Sequence, residues 1–233
     1  MILFILGISV IAILTFIYFQ PLFAVRWLAK QNLKVLYFVE TKAKVVALTI
    51  DDSPHATVTP RLLDVLKQHS AHATFFLIGN NIIGNEHLVD RMRREGHELG
   101  NHLSEDVASV HLSPEEFERQ LAEVDKLINP DSPQKWFRPG SGFYNARMLR
   151  QAEAQGYRCA LGSIYPHDTI VRNPWIISTF IIRKIFPGAI IVIHDGKDDR
   201  VRSAKVLRRV LPELQRQGYE VVTLSQLLSV GAQ

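Results

Sequence analysis

Val45-Val46-Ala47-Leu48-Thr49-Ile50-Asp51-Asp52-Ser53-Pro54-His55 runs from six apolar or β-branched residues directly into two carboxylates and a proline. The first six read as a buried strand, and the Ser-Pro pair ends it. Two adjacent carboxylates leaving such a strand point to opposite sides of the chain unless the turn redirects them. Burying both costs several kcal/mol without a cation or other partner. Two readings follow: a helix N-cap after the strand, or one metal ligand beside one general base.

Outward from this stretch the pattern repeats. Further strand-like runs are Thr74–Ile78, Glu98–Asn101, Trp136–Arg138, Arg158–Leu161, Ile190–Ile193 and Val221–Leu224. Helices announce themselves between them: Thr59-Pro60 ahead of Leu62, Leu63 and Leu66, the capping box Ser113-Pro114-Glu115-Glu116, and Asn173-Pro174 ahead of Trp175. About seven strand–helix units predict an α/β fold, a parallel sheet with helices outside, as an open sheet or a barrel. Chemistry in such folds sits at the carboxyl ends of the strands. The residues found there are Asp51-Asp52, His102, Pro139 after Arg138, and His194-Asp195.

Each of these ends admits a plain and a chemical reading. His102 and Asp106 are four apart, so one helical turn puts both on one face as potential ligands; such pairs are also common on solvated helices. Arg138-Pro139-Gly140-Ser141-Gly142 offers a guanidinium and a turn whose N–H groups could face an oxyanion, or is a charged surface loop. Ile190-Ile191-Val192-Ile193-His194 ends an apolar strand in an imidazole.

The 233 residues carry 27 Lys+Arg against 23 Asp+Glu. The whole excess of four lies in residues 1–50, where Arg26, Lys30, Lys34, Lys42 and Lys44 face Glu40 alone; the body is neutral. A nucleic-acid-binding domain should carry its surplus on the folded part, so that class is excluded. The single cysteine, Cys159, forms no intramolecular disulfide and sits in an apolar run, as a structural thiol does. Residues 1–25 lack charge, and Ile2 to Phe19 is almost wholly aliphatic or aromatic. About twenty such residues suffice to cross a bilayer core. This predicts an N-terminal transmembrane anchor over 1–25, a basic juxtamembrane linker over 26–43 and one domain over 44–233. A cleaved signal peptide is the alternative, disfavoured by the lack of a basic start and of a small-residue cleavage site. The partner of the basic flank is then a membrane bilayer. Its charge places the domain on the cytoplasmic side.

Taken together, Thr-Ile-Asp-Asp-Ser-Pro, Gly-His-Glu-Leu-Gly-Asn-His, Arg-Pro-Gly-Ser-Gly and Ile-Ile-Val-Ile-His-Asp resemble the ordered motifs of the polysaccharide deacetylase (NodB-homology, carbohydrate esterase family 4) group, over roughly residues 44–227. The resemblance implies a distorted (β/α) barrel and metal-dependent hydrolysis of an acetyl group on an N-acetylated glycan or amino sugar. It implies Asp51 as general base, Arg138 as the arginine orienting it, His194 as general acid and Asp168 as the carboxylate partner of His194. It also implies Asp52 and His102 as metal ligands, the Ser141 amide (with Gly142 beside it) in the oxyanion hole, and Val192 lining the acetyl pocket. One divalent ion is implied, zinc in the family. The family's next histidine is replaced by Asp106, with Glu105 as a possible substitute, and a second carboxylate shifts preference towards Mn²⁺, Co²⁺ or Mg²⁺. Gly140-Ser141 and Thr169 stand where the family carries groove-walling residues, aromatics among them. Two alternatives therefore stay open: an amidohydrolase on a lipid-linked or non-sugar substrate, and a non-catalytic glycan-binding relative. Family substrates lie outside the cytoplasm, which opposes the side given by the charge flank.

Overall fold

The structure, a computed structural model, describes residues 19–128 and 134–231. Among the described residues eight parallel strands form one sheet: β1 (Val35–Leu36), β2 (Val45–Ser53), β3 (Thr74–Leu77), β4 (Glu98–Asn101), β5 (Lys135–Phe137), β6 (Tyr157–Ala160), β7 (Ile190–His194) and β8 (Glu220–Val222). The order is β1-β6-β5-β4-β3-β2-β7, with β8 pairing to the start of β2. Isolated bridges Ile164↔Ile191 and Phe38↔Ala189 bring the two ends of this order together, so the sheet curls into a distorted barrel.

The longest strand, β2, is buried along all nine residues and alternates between two hydrophobic layers. Val46, Leu48 and Ile50 face outward and pack, with Ile191 and Ile193, against Leu62 and Leu66 of the helix Thr59–Gln68, Ile177 and Ile181 of Pro174–Lys184, and Leu207 and Leu211 of Val201–Arg216. Ala47 faces inward among Phe76, Trp136, Ala160 and Ile190. Each fully buried Leu, Ile or Phe contributes about 1.5–3 kcal/mol, so this double-sided burial fixes the strand's register. Asp51 lies on the inward row two residues beyond Thr49, and the barrel interior is where its side chain has to go.

The seven strand-like runs all become strands, and two of the three expected caps form; Thr59 instead begins its helix without capping it, and its hydroxyl donates to Asp195. Asn173 accepts from Trp175 N at 2.9 Å, and Ser113 Oγ from Glu116 N at 3.2 Å. The stretch expected to be a linker, 26–43, departs from that expectation. It carries most of the helix Leu22–Gln31, then β1, which pairs with β6 at the sheet edge, and Tyr37 and Val39 are buried. A two-residue strand has no periodicity to reveal it, and the surrounding basic residues point outward. The apolar run called a transmembrane helix lies, apart from its last residues, outside the described residues. Among the described residues no helix is long and apolar enough to cross a membrane. Cys159 is buried, and that burial pushes its thiol up to about 12.

Candidate active site

At the carboxyl end of the barrel, Asp51, Asp52, His102, Asp106, Arg138, Ser141, Tyr165, Thr169, His194, Lys197 and Arg200 line one pocket of about 330 Å³. Asp51 and Asp52 reach it together because the chain departs from regular pleating there. The register with β3 slips between Ile50 and Ser53, and Asp52 takes φ 66°, a left-handed value. This bulge turns the second carboxylate to the side of the first. Gly196 makes room for the turn: a Cβ on it would lie 2.6 Å from both Cβ and carbonyl oxygen of Asp52, and its φ is 78°.

Asp51 is bound by Arg138, whose Nη1 donates to Oδ1 at 2.5 Å. The guanidinium is buried and fixed on three further sides. Its Nη1 also donates to Thr49 Oγ1 (2.8 Å), its Nε donates to the Ala160 carbonyl (2.8 Å), and it stacks 4.1 Å above the Phe76 ring. A buried arginine held this way presents Asp51 in one orientation, with its other oxygen, Oδ2, 4.0 Å from His194 Nε2. In-register pairing of Asp51 with His194 across β2 and β7 sets that separation.

Asp168 holds His194 twice: Oδ1 lies 2.9 Å from Nδ1, and Oδ2 accepts from the His194 backbone N–H at 2.8 Å. Arg202 in turn donates to the Asp168 carbonyl through Nη2 (2.8 Å). Burial alone would push the imidazole pKa down. The Asp168 charge and hydrogen bond override it, with help from Asp51 and Asp52, and raise it from 6.5 to about 9. His194 is therefore an imidazolium at neutral pH, with its Nε2–H facing the pocket.

Asp52 Oδ1 lies 3.4 Å from His102 Nε2. The His102 Nδ1 is 2.7 Å from the Arg138 carbonyl, an acceptor only, so Nδ1 carries a proton and Nε2 is the atom offered to a ligand. Burial pushes the Asp52 carboxyl up, but His102 outweighs it and the net shift is downward; the reverse balance raises His102. An oriented imidazole beside a buried carboxylate fits a divalent cation as two donors. The third expected donor has another partner. Asp106 faces the same pocket, yet its Oδ2 is paired with Lys197 Nζ at 3.0 Å, and both side chains are more than half exposed. Among the described residues no three His, Cys, Asp or Glu side chains gather as a ligand group. Glu105 is exposed and is not among the lining residues.

Two other expectations are altered. Val192 is fully buried and does not line the pocket; the chain at Gly162 covers it so closely that a Cβ there would lie 2.7 Å from Val192 Cγ2. Gly142 sits at the pocket wall, but its N–H is committed to the Pro139 carbonyl (3.1 Å) and is no oxyanion donor. Ser141 is at the wall too, with φ 62°, in a turn pinned where Gly140 N donates to Ser109 Oγ at 2.7 Å. Sequence reasoning missed Tyr165, Lys197 and Arg200. Of these only Lys197 carried a signal, three residues beyond His194.

An Asp–Arg pair, a His–Asp pair and an Asp–His pair thus meet at one end of the barrel. The polysaccharide deacetylase family profile matches residues 38–160. This chain belongs to that family. It is 35% identical to the peptidoglycan-N-acetylglucosamine deacetylase of Bacillus cereus over 83% of this chain and 92% of that one. It is 31% identical to the chitooligosaccharide deacetylase of a Bradyrhizobium species over 90% and 98% of the two chains. Among solved structures, the Bc1960 peptidoglycan N-acetylglucosamine deacetylase superposes with a TM-score of 0.79 at 28% identity, covering 84% of this chain and 93% of that one. A family 4 acetyl xylan esterase from Clostridium thermocellum, in complex with a cobalt ion, superposes with a TM-score of 0.73 at 26% identity, covering 80% and 91%. The chain is thus a deacetylase-like hydrolase of this family.

Proposed function

We propose that this deacetylase removes the acetyl group from an N-acetylated sugar of a glycan, with Asp51 as base and His194 as acid. The observation that carries this reading is the pairing of two opposed proton carriers across one pocket: Asp51 Oδ2 and His194 Nε2, 4.0 Å apart, each locked from behind by its own partner, Arg138 and Asp168. A base must be free to accept and an acid must arrive charged. Arg138 orients Asp51 through one oxygen and leaves the other to take a proton from the attacking water. His194 starts as imidazolium and delivers its proton to the leaving amine, while Asp168 keeps the ring from turning. Ser141 lines the pocket wall, and its backbone N–H would be the donor for an oxyanion in this reading. Asp52 and His102 are the residues to hold a divalent ion, which supplies Lewis acidity and a more acidic bound water.

The experiment is acetate release from N-acetylglucosamine oligomers by the full chain, with metal content measured in parallel. Turnover abolished by Asp51→Asn at unchanged fold supports the reading. Turnover indifferent to that change, or absent with every divalent ion supplied, contradicts it. A non-catalytic glycan binder needs neither acid nor base, and the intact pairs speak against it.

A lipid-linked substrate is a second reading, favoured by one contact. Gln20, directly after the apolar run, donates through Nε2 to the Tyr165 carbonyl (2.6 Å) and accepts from Tyr165 N (2.9 Å), so that run ends beside the pocket wall. We place the chain at a bilayer by its N-terminal segment on the strength of that run and the basic flank. Membrane fractionation of the full chain against residues 20–233 tests this; equal recovery in the soluble fraction contradicts it.

A further inference from the structure

The neutral body carries its charge unevenly. The helices Pro174–Lys184 and Val201–Arg216, packed on one another, together hold seven Lys and Arg side chains against a single carboxylate, Glu213. A groove of about 570 Å³ runs between them, lined by the apolar Ile182 and Pro212 and by Arg183, Arg208, Arg209 and Arg216. Glu213 is taken by Arg216 (2.7 Å). No other carboxylate lines the groove, so among the described residues Arg183, Arg208 and Arg209 meet no anion there. Trp175, 57% exposed, opens the first of these helices and lies 5.3 Å from the Arg209 guanidinium. Ile176 beside it and Ile170 shortly before it are exposed as well. Exposed tryptophan and isoleucine among unmatched arginines match a bilayer interface, where the indole sits at headgroup level and cations meet lipid phosphates. The uncharged run that begins at Ile2 ends on the same helix, where Lys184 Nζ donates to the Phe19 carbonyl.

We infer that this two-helix face docks on an anionic phospholipid bilayer, with Trp175, Ile176 and Ile170 at headgroup level and Arg183, Arg208 and Arg209 on lipid phosphates. The docking takes its choice of partner from the bilayer placement proposed above and is independent of the deacetylase chemistry. Thr169 lines the catalytic pocket and directly precedes Ile170, so the docked chain holds one rim of that pocket close to the leaflet.

The test reads tryptophan fluorescence of the full chain with vesicles of phosphatidylcholine alone, or of phosphatidylcholine and phosphatidylglycerol in equal parts. Both carry brominated acyl chains as the quencher. Subtracting the signal of Trp175→Phe separates Trp175 from Trp27 and Trp136. Trp175 should be quenched in the mixed vesicles and far less in the neutral ones, and its quenching should fade as salt rises. Arg183→Gln combined with Arg208→Gln should lower the ratio of docked to undocked chain on the order of 30-fold, about fivefold for each arginine beside an anionic leaflet. Should the double variant fail to fold, the salt dependence in the wild-type chain still decides. Quenching that is equal in the two vesicles, absent from both, or unmoved by the folded double variant overturns the docking. Binding of soluble polyphosphate or of a second copy through the same arginines, with no quenching in either vesicle, overturns it too and names another occupant. Flotation with the neutral vesicles, read separately, tests the N-terminal run. Its failure there sinks the anchor while quenching in mixed vesicles still upholds the docking, and flotation without Trp175 quenching sinks the docking alone.

Discussion

Replacing Asp168 by Asn removes the charge that makes His194 an acid while keeping the size and one hydrogen-bonding oxygen of the side chain. In the native site burial pushes the imidazole pKa down, and Asp168 is the largest of the opposing influences that raise it from 6.5 to about 9. Without that charge only Asp51 and Asp52 oppose burial, and the pKa should fall back towards the ordinary value. At about pH 8 the native imidazole is roughly 90% protonated, against roughly 3% for a pKa of 6.5, so turnover should drop about 30-fold from protonation alone. The assay is kcat against pH for acetate release, with His194 followed by NMR titration. The native basic limb should lie near the His194 value, and the variant's should move down towards 6.5. Turnover lost uniformly at all pH, with the basic limb in place, would refute the assignment of His194 as the acid. The sign for stability follows the same shift. A raised imidazole pKa stabilises the fold fully below 6.5, and that contribution is lost as pH rises through about 9.

Other substitutions probe the remaining contacts. Arg138→Met leaves Asp51 buried without its partner and should destabilise the fold by about 3–5 kcal/mol, measured by denaturant unfolding. Lys197→Ala frees Asp106 to turn towards Asp52 and His102; metal affinity by competition with a chelator should rise on the order of tenfold, the scale of a restored ordering contact. Gly196→Ala forces a Cβ onto the Asp52 backbone at a positive φ and should cost about 1–3 kcal/mol of stability and weaken metal binding, read by thermal melts and the same chelator assay.

Much of this site was legible at the strand ends. Asp51, His102, Arg138 and His194 each follow or close a strand-like run, and parallel α/β architecture sends those positions to one face. The unread parts have physical reasons. Asp52 was read beside Asp51 at the strand end, but not the bulge and left-handed residue that turn both carboxylates into one pocket, which a side-chain period of two does not announce. Asp106 lines the same pocket as Asp52 and His102, but its ion pair with Lys197, ninety-one positions away, comes only from the closing of the barrel. Val192 lies under the Gly162 chain, a tertiary covering with no local signature. Strand β1 is two residues long and is held by its partner β6 and not by any pattern of its own.

The most direct measurement is acetate release from N-acetylglucosamine oligomers by the wild-type chain and by Asp51→Asn, each loaded with the same divalent ion. A loss of about 10²–10⁴-fold in kcat, with ion content and melting temperature retained, is the expected result for removal of the general base. Equal turnover by the two proteins would contradict the account.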